Sequence, residues 1–451
     1  MKLTVEEWLR ERNIAEVEIF VADLTGVLRG KIIPCEKFLL DPVRMPESAL
    51  AQTVTGEWGE QEDFLDEVEG DMELRPDVDG CFVVPWAREP TGQIICDAVS
   101  NNGSLIRWAP RSILKRVLRN FHREGWQPVV APELEFYLTS RDNNPDNPLS
   151  PPVGRTGKPE FSKQPFSIDA LNEFELVIED IYRFAEAKNL AVDTLVHEEG
   201  VAQFEINFKH GDALEIADQV IMFKRCVREA AIRHNMVATF MAKPIQGQPG
   251  SSMHIHQSLV SRSSGENVFA ATEGESKGED AKQYSSLFEH YVGGLQKYTP
   301  EMMAMYAPNV NSFRRINNRW PTANTHWGMN NRTIGFRMPD TNNPKSVRIE
   351  NRISGSDANP YLAIAASLLA GYLGIKKKIA PMKMTTGPAY ELPRGIPLTL
   401  EDSLKKMQKS TILRSGLGHQ FVDVYVGCKQ VELRNYQKVV SSWERKFLLD
   451  N

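Results

Sequence analysis

Ala242-Lys243-Pro244-Ile245-Gln246-Gly247-Gln248-Pro249-Gly250-Ser251-Ser252-Met253-His254-Ile255-His256-Gln257-Ser258-Leu259 ends as a strand behind a Gly/Pro/Ser loop. Side chains alternate across a strand, so Met253, Ile255 and Gln257 share one face and His254 and His256 the other. The loop's glycines let its backbone approach a ligand closely. Two imidazoles on one face behind such a loop can hold a metal ion and an anion. Paired histidines in a strand are also commonly structural, so the reading turns on the rest of the chain.

Further clusters raise it. Ala131-Pro132-Glu133-Leu134-Glu135-Phe136-Tyr137 is an apolar strand with Glu133 and Glu135 on the same face. Two such carboxylates are costly to bury without cations. His197-Glu198 and Gln203-Phe204-Glu205-Ile206 add acids in a short loop and strand, and Val347-Arg348-Ile349-Glu350-Asn351-Arg352 alternates arginine, glutamate and arginine. Carboxylates with one imidazole form a hard, oxygen-rich donor set that selects Mg²⁺ or Mn²⁺ over zinc or copper. Paired hard cations suit phosphoryl chemistry, and the neighbouring arginines suit phosphate or carboxylate oxygens through bidentate bonds.

Composition sets the frame. The chain has 451 residues, 41% apolar and 25% charged, with a net charge of -6. Two domains, or one large domain with an appendage, are expected at this length. The acidic balance gives no general affinity for nucleic acid. Cys35, Cys81, Cys96, Cys226 and Cys428 are scattered and lack zinc-site spacing, which fits a reducing compartment. Thr4 and Glu7 stand at capping-box spacing ahead of an N-terminal helix, and no signal-peptide pattern is visible. The most apolar segment, Tyr361 to Ile375, is too short to span a membrane and reads as a buried helix. A soluble, cytoplasmic protein is expected.

Residues 16 to about 100 read as a small strand-rich unit: Val17–Asp23, a turn at Thr25-Gly26, Lys31–Ile33, Cys81–Val84 and Gln93–Cys96. At Pro110 the pattern changes to a helix with proline in its first turn. Helical spacing follows over 168–189, 213–235 and 279–299. Arg141–Ser162 reads as a mobile polar loop, and Val260–Lys282 contains a second loop-like run, Ser261–Glu266.

Taken together, these motifs resemble the glutamine synthetase family: the Glu-x-Glu strand, the Lys-Pro…Gly-Ser-x-Met-His-x-His segment, the arginine-rich region, Asn359-Pro360-Tyr361 and Trp443-Glu444-Arg445. The resemblance covers nearly the whole chain. It implies an α+β fold, with a small N-terminal β-grasp-like domain over 1–105 and a large catalytic α/β domain over 106–451. It also implies rings of six subunits with active sites shared between neighbours, two or more Mg²⁺ or Mn²⁺ ions per site, and ATP and L-glutamate as substrates. By the same resemblance, Glu135, Glu198 and Glu205 hold the first metal, and Glu133, His254 and Glu350 hold the second, which bridges the ATP phosphates. His256, Ser258, Lys345 and Arg348 match nucleotide contacts, and Arg337 matches a phosphate contact. Arg332 matches the arginine that stabilises the transferring phosphoryl group. Arg315 and Arg352 match the arginines holding the two carboxylates of glutamate, and Gly250 matches a position in the loop that contacts its backbone.

The acceptor half departs from the family. Where the family has an ammonium-binding aspartate, this chain reads Met45-Pro46-Glu47-Ser48-Ala49-Leu50. The flap after Arg315, Ile316-Asn317-Asn318-Arg319-Trp320-Pro321-Thr322-Ala323-Asn324, carries no acid, and Pro249 replaces the usual asparagine. Ammonium must lose a proton before it attacks, and carboxylates usually take it. A different nucleophile is therefore expected: an organic amine, such as a polyamine or a monoamine, with Glu47, Trp320 and Trp327 (and Trp58 nearby) as acceptor-pocket candidates. Tyr390 reads as a structural tyrosine. The alternatives are ordinary glutamine synthetase using ammonia, or an inactive homologue with a structural or regulatory role.

Overall fold

The computed structural model describes residues 3–57, 70–142, 144–272, 274, 283–318 and 322–450. Trp58 and Trp320 lie outside these residues, as do 279–282 of the expected helix. The architecture is mixed α/β, built on two sheets.

The smaller sheet has five strands in the order Leu28–Pro34, Glu16–Ala22, Thr91–Val99, Asp71–Val83, Arg44–Pro46. Its central pair, Glu16–Ala22 with Thr91–Val99, is parallel, and the outer pairings are antiparallel. The tight turn at Thr25-Gly26 is organised by Asp23, whose Oδ1 accepts from the backbone N–H groups of Thr25 and Val27. The expected short strand at Cys81–Val84 is the end of a longer strand, interrupted between Pro76 and Cys81. Proline cannot donate to the ladder, which favours an irregularity there.

The larger sheet runs in the order Trp327–Met329, Phe336–Met338, Ile349–Asn351, Met253–Ser261, Trp126–Ser140, Gln203–Phe208, Val192–His197. Trp126–Ser140 is its hub: it pairs with Met253–Ser261 on one side and Gln203–Phe208 on the other, and also takes Met236–Thr239 and Gly211–Asp212. Apolar side chains from these strands, such as Leu134, Phe136, Met253, Ile255 and Ile206, enter a continuous core with the helices. Pro360–Lys376 is the buried helix the sequence indicates, capped by Asn359, whose side chain accepts from Tyr361 N–H. It packs against Ser286–Tyr306 at small residues. A Cβ on Gly294 would stand 2.2 Å from Ala370 O, and one on Gly374 2.1 Å from His290 O. Among the described residues no helix is long and apolar enough to cross a membrane.

Local signals translate directly in several places. Thr4 and Glu7 form the expected capping box, Pro110 opens the helix Pro110–Arg123, and Asp212 caps Ala213–Arg233. The helix expected over 168–189 is two, Ile168–Asn172 and Glu175–Ala187. Phe174 breaks it, buried edge-on against Phe204 at 5.6 Å. The loop after Ser140 is tethered rather than free: Glu173 accepts from Thr156, and Glu160 is held by His197 and Ala202.

Candidate active site

Strand alternation and register assemble one polar face on the larger sheet. Glu133 lies opposite His254, Glu135 opposite Glu205, and Glu350 opposite both His256 and Arg337. Arg337, Glu350, the two histidines, the Glu-x-Glu pair and Glu205 thus cross the sheet in sequence, while their neighbours along each strand face the core.

Glu133 joins the two imidazoles. Its Oε1 faces His256 Nε2 at 2.8 Å, and its Oε2 faces His254 Nδ1 at 3.2 Å. Arg348 Nε donates to His256 Nδ1 at 3.1 Å, and a guanidinium cannot accept, so the proton of a neutral His256 is assigned to Nε2. Glu350 is fully buried, accepts from Arg337 Nη1 at 2.9 Å and is paired with Arg352. Burial pushes the Glu350 carboxyl up, but Arg352 and the histidines prevail and hold it down to about 2. Glu133 is likewise held below the carboxylate range: the hydrogen bonds from His254 and His256 outweigh its burial.

The other acids behave oppositely. Burial, reinforced by the Glu198 charge, pushes Glu135 up to about 8, and burial with four surrounding carboxylates pushes Glu205 up to about 10. Glu198 is raised by burial and by neighbouring acids. Two groups, Glu133/His254/Glu350 and Glu135/Glu205/His254, bring their ligand atoms within 4.8 Å of one another. Acids crowded until they retain protons are a donor set short of positive charge, which fits divalent cations.

Cavities open on both sides of this cluster. One, of about 660 Å³, is lined by Glu133, His256, Ser258, Asn207, Lys345 and Arg348. The other, of about 1030 Å³, is lined by Glu135, His254, Glu198, Gly250, Arg332 and Arg352, with Lys163, Phe166, Lys243 and Tyr390 among its outer residues. Arg315 lies beneath its floor, buried, with Nη1 donating to Ser252 Oγ at 3.2 Å. Gly250 is required there: a Cβ would stand 2.4 Å from Arg315 Cγ and 2.6 Å from Ala242 O.

The six acid and imidazole positions singled out in the sequence therefore converge, as do His256, Ser258, Lys345, Arg348, Gly250, Arg315, Arg332 and Arg352. Arg337 lines neither cavity but is bound by Glu350 and Asn330. Two acceptor-pocket candidates, Trp327 and Glu47, line neither cavity. Trp327 is a core residue, its Nε1 donating to Met382 O at 2.6 Å and its ring edge-on to Tyr284 and Phe288. Glu47 accepts from Trp108 Nε1 at 3.1 Å and is not in the cavity wall of its own chain. Tyr390 does line the larger cavity.

Sequence reasoning gave no role to Gln203, Lys163, Phe166 or Lys243. Gln203 Nε2 donates to Glu135 Oε2 and to Gly250 O, both at 3.1 Å, joining an acid to the glycine loop. Its two-residue spacing from Glu205 carried that signal. Lys163 and Phe166 sit on a loop distant in sequence and carried none, and Lys243 entered only as part of the Lys-Pro motif.

A family model described as "Glutamine synthetase, catalytic domain" matches residues 107–448. The chain is a member of the glutamine synthetase family. Its relatives include gamma-glutamylputrescine synthetase PuuA of Escherichia coli (strain K12), at 35% identity over 98% of this chain and 93% of that protein. They also include a glutamate–isopropylamine ligase of a Pseudomonas species, at 32% identity over 99% of this chain and 98% of that one. Among solved structures, GmaS in complex with ADP superposes with a TM-score of 0.84 at 27% identity, with both chains wholly covered.

Proposed function

We propose that this chain is an ATP-dependent ligase that joins the γ-carboxylate of L-glutamate to an organic amine. One observation carries the reading: two cavities meet at a single carboxylate–imidazole cluster. The smaller, with Ser258, Lys345 and Arg348, suits a nucleotide, and the larger, lined by Arg332 and Arg352 with Arg315 buried beneath it, suits a dicarboxylic amino acid. The relatives that ligate glutamate to putrescine or isopropylamine support an amine as acceptor.

In this reading Glu135, Glu198 and Glu205 hold one divalent cation and Glu133, His254 and Glu350 the second. When bound, Mg²⁺ or Mn²⁺ supplies positive charge to the phosphate oxygens and neutralises the acid cluster. His256, Ser258, Lys345 and Arg348 bind ATP. Arg315 and Arg352 grip the carboxylates of glutamate and aim its γ-oxygen at the terminal phosphorus. Arg332 lies where charge develops on the phosphoryl group during transfer, and Arg337 keeps Glu350 oriented. The product of this half-reaction is γ-glutamyl phosphate with ADP. The amine then attacks the γ-carbonyl carbon and phosphate leaves with the C–O electron pair, the amine's proton passing to an adjacent carboxylate.

The finer architecture belongs to the same proposal. The five-stranded sheet is a β-grasp-like domain over 1–105, and 106–451 form the catalytic domain, a division supported by the helix that starts at Pro110. A ring of six subunits would place Glu47, which its own cavity leaves aside, near a neighbouring site. Cytoplasmic residence fits the five unpaired cysteines.

The test is phosphate release with ATP and glutamate against a panel of primary amines and ammonium, with the amide identified by mass. At least one amine is expected to exceed ammonium in kcat/KM. Ammonium used as efficiently as every amine would overturn the changed acceptor.

A further inference from the structure

Another cavity, of about 540 Å³, lies away from the acid cluster and shares no lining residue with the two described above. The turn at Thr25-Gly26, the helix Ala213–Arg233, the end of the strand Met236–Thr239 and the pair Asp357-Ala358 meet around it. Lys224 and Arg228, one helical turn apart, both line it, with Arg225 beside them.

These cations are short of counter-charge. Lys224 is only 8% exposed, and its Nζ donates to Ser356 O at 2.6 Å and Ala358 O at 3.4 Å. Both acceptors are neutral carbonyls, so among the described residues the ammonium has no ion pair, and one of its three donors is left over. The Arg228 guanidinium lies 5.4 Å from the centre of the Phe240 ring and makes no hydrogen bond or ion pair among the described residues. Arg225 is paired with Glu18 at 3.2 Å. Of the acids in the wall, Asp357 Oδ2 is taken by Asn309 and Ser312, and Glu229 pairs with none of the three cations. Burial and the Arg228 charge bring Lys224 down to about 7, against the pull of Asp357. The remaining wall is apolar and open, with Val27, Val54, Ile232 and Met241 all exposed. A cationic end beside an apolar flank suits an organic anion better than a bare one, and a guanidinium fork with one spare ammonium donor suits a carboxylate.

We propose that this cavity is a second ligand site, for an organic carboxylate whose head is held by Lys224 and Arg228 and whose hydrocarbon body lies against Ile232 and Met241. Its occupant stands apart from the proposed reactants, since neither the acid cluster nor Arg352 lines this cavity. The test is titration calorimetry of the full chain at pH 7 with hexanoate, hexan-1-ol and inorganic phosphate, in the wild type and in Arg228→Glu, Arg228→Gln, Lys224→Met and Arg352→Ala. Hexanoate is expected to bind at least about tenfold more tightly than either of the others through this site. Arg228→Glu weakens hexanoate by at least about tenfold, Arg228→Gln by less, and Arg352→Ala leaves it within about twofold. A counter-charge raises the proton affinity of Lys224, so hexanoate binding takes up about half a proton, read from buffers of different ionisation enthalpy, and Lys224→Met abolishes that uptake. Should Lys224→Met fail to fold, the wild-type proton uptake and the Arg228 variants decide. No hexanoate binding, binding indifferent to Arg228→Glu, or binding lost in Arg352→Ala overturns the site. Hexan-1-ol or phosphate held as tightly through Arg228 overturns the ligand class. Burial of Ile232 and Met241 against a second copy, with no hexanoate bound, overturns it as well, because the face is then a subunit contact.

Discussion

At the scale of single residues, the site is governed by how each carboxylate is balanced. Glu133 is shared by two imidazoles, and Glu350 is fully buried between arginines. Glu133→Ala is expected to lower kcat by about a thousandfold or more, because it removes a proposed metal ligand and leaves two imidazoles without their acceptor. Turnover near the wild-type rate would refute that role. Glu135 and Glu205 carry the opposite imbalance. Raised from 4.5 to about 8 and about 10, they keep protons in the folded chain that the unfolded chain gives up. The folded state thus binds more protons between these values, so the stability of the metal-free protein falls as pH rises from about 5 towards 9. A divalent cation must displace those protons. Calorimetry at pH 7 in buffers of different ionisation enthalpy should show roughly one to two protons released per site filled. Binding with no proton release would contradict the crowded-acid picture. These residues were legible because period-two spacing puts them on one face, whatever the rest of the chain does. Trp327 was not: whether an aromatic lines a pocket or fills a core depends on partners such as Tyr284 and Phe288, some forty residues away in the chain.

At the scale of elements, the loop between Ser140 and Ile168 supports the site more than its composition suggests. Glu160 Oε2 accepts from Ala202 N–H at 2.6 Å and faces His197 Nε2 at 3.1 Å, while its Oε1 is buried without a partner. This one side chain ties the loop to both ends of the turn carrying Glu198. Glu160→Ala is expected to cost about 1–3 kcal/mol, since it orphans a buried N–H and an imidazole. Hydrogen exchange should then quicken over 157–167 and 197–203 together; quickening of the first segment alone would show that the two are not coupled. Strands and capped helices were readable from alternation and from Thr4, Pro110 and Asn359. The tethering of a polar loop was not, because its anchor lies some forty residues away, and neither was the break at Phe174, which follows from packing on Phe204.

At the scale of the whole molecule, one ion network fastens the two sheets. Arg111 binds Asp77 and Asp97 from the smaller sheet and Asp218 from the helix Ala213–Arg233, and Tyr361 donates to Asp218 at 2.6 Å. Arg111 is almost fully buried, and removing it takes the paired cation from buried Asp218, while Lys115 still reaches Asp97 and Asp77. Arg111→Met is expected to cost about 3–5 kcal/mol and to split the single unfolding transition in two as the sheets lose their shared anchor. A single transition at the wild-type temperature would show the network to be dispensable. A long helix opening at Pro110 was legible; that its second residue is the clasp was not, because Asp77, Asp97 and Asp218 converge on it only in the folded chain.

The bridge from His256 through Glu133 to His254 has one more consequence. The two cavities share a wall whose polar groups are hydrogen-bonded to one another, and in the proposed reading this wall is the route by which their occupants would be linked. Whatever factor the nucleotide applies to glutamate affinity, glutamate must return to the nucleotide. In the proposed reading that reciprocity runs through the cluster between the two reactants.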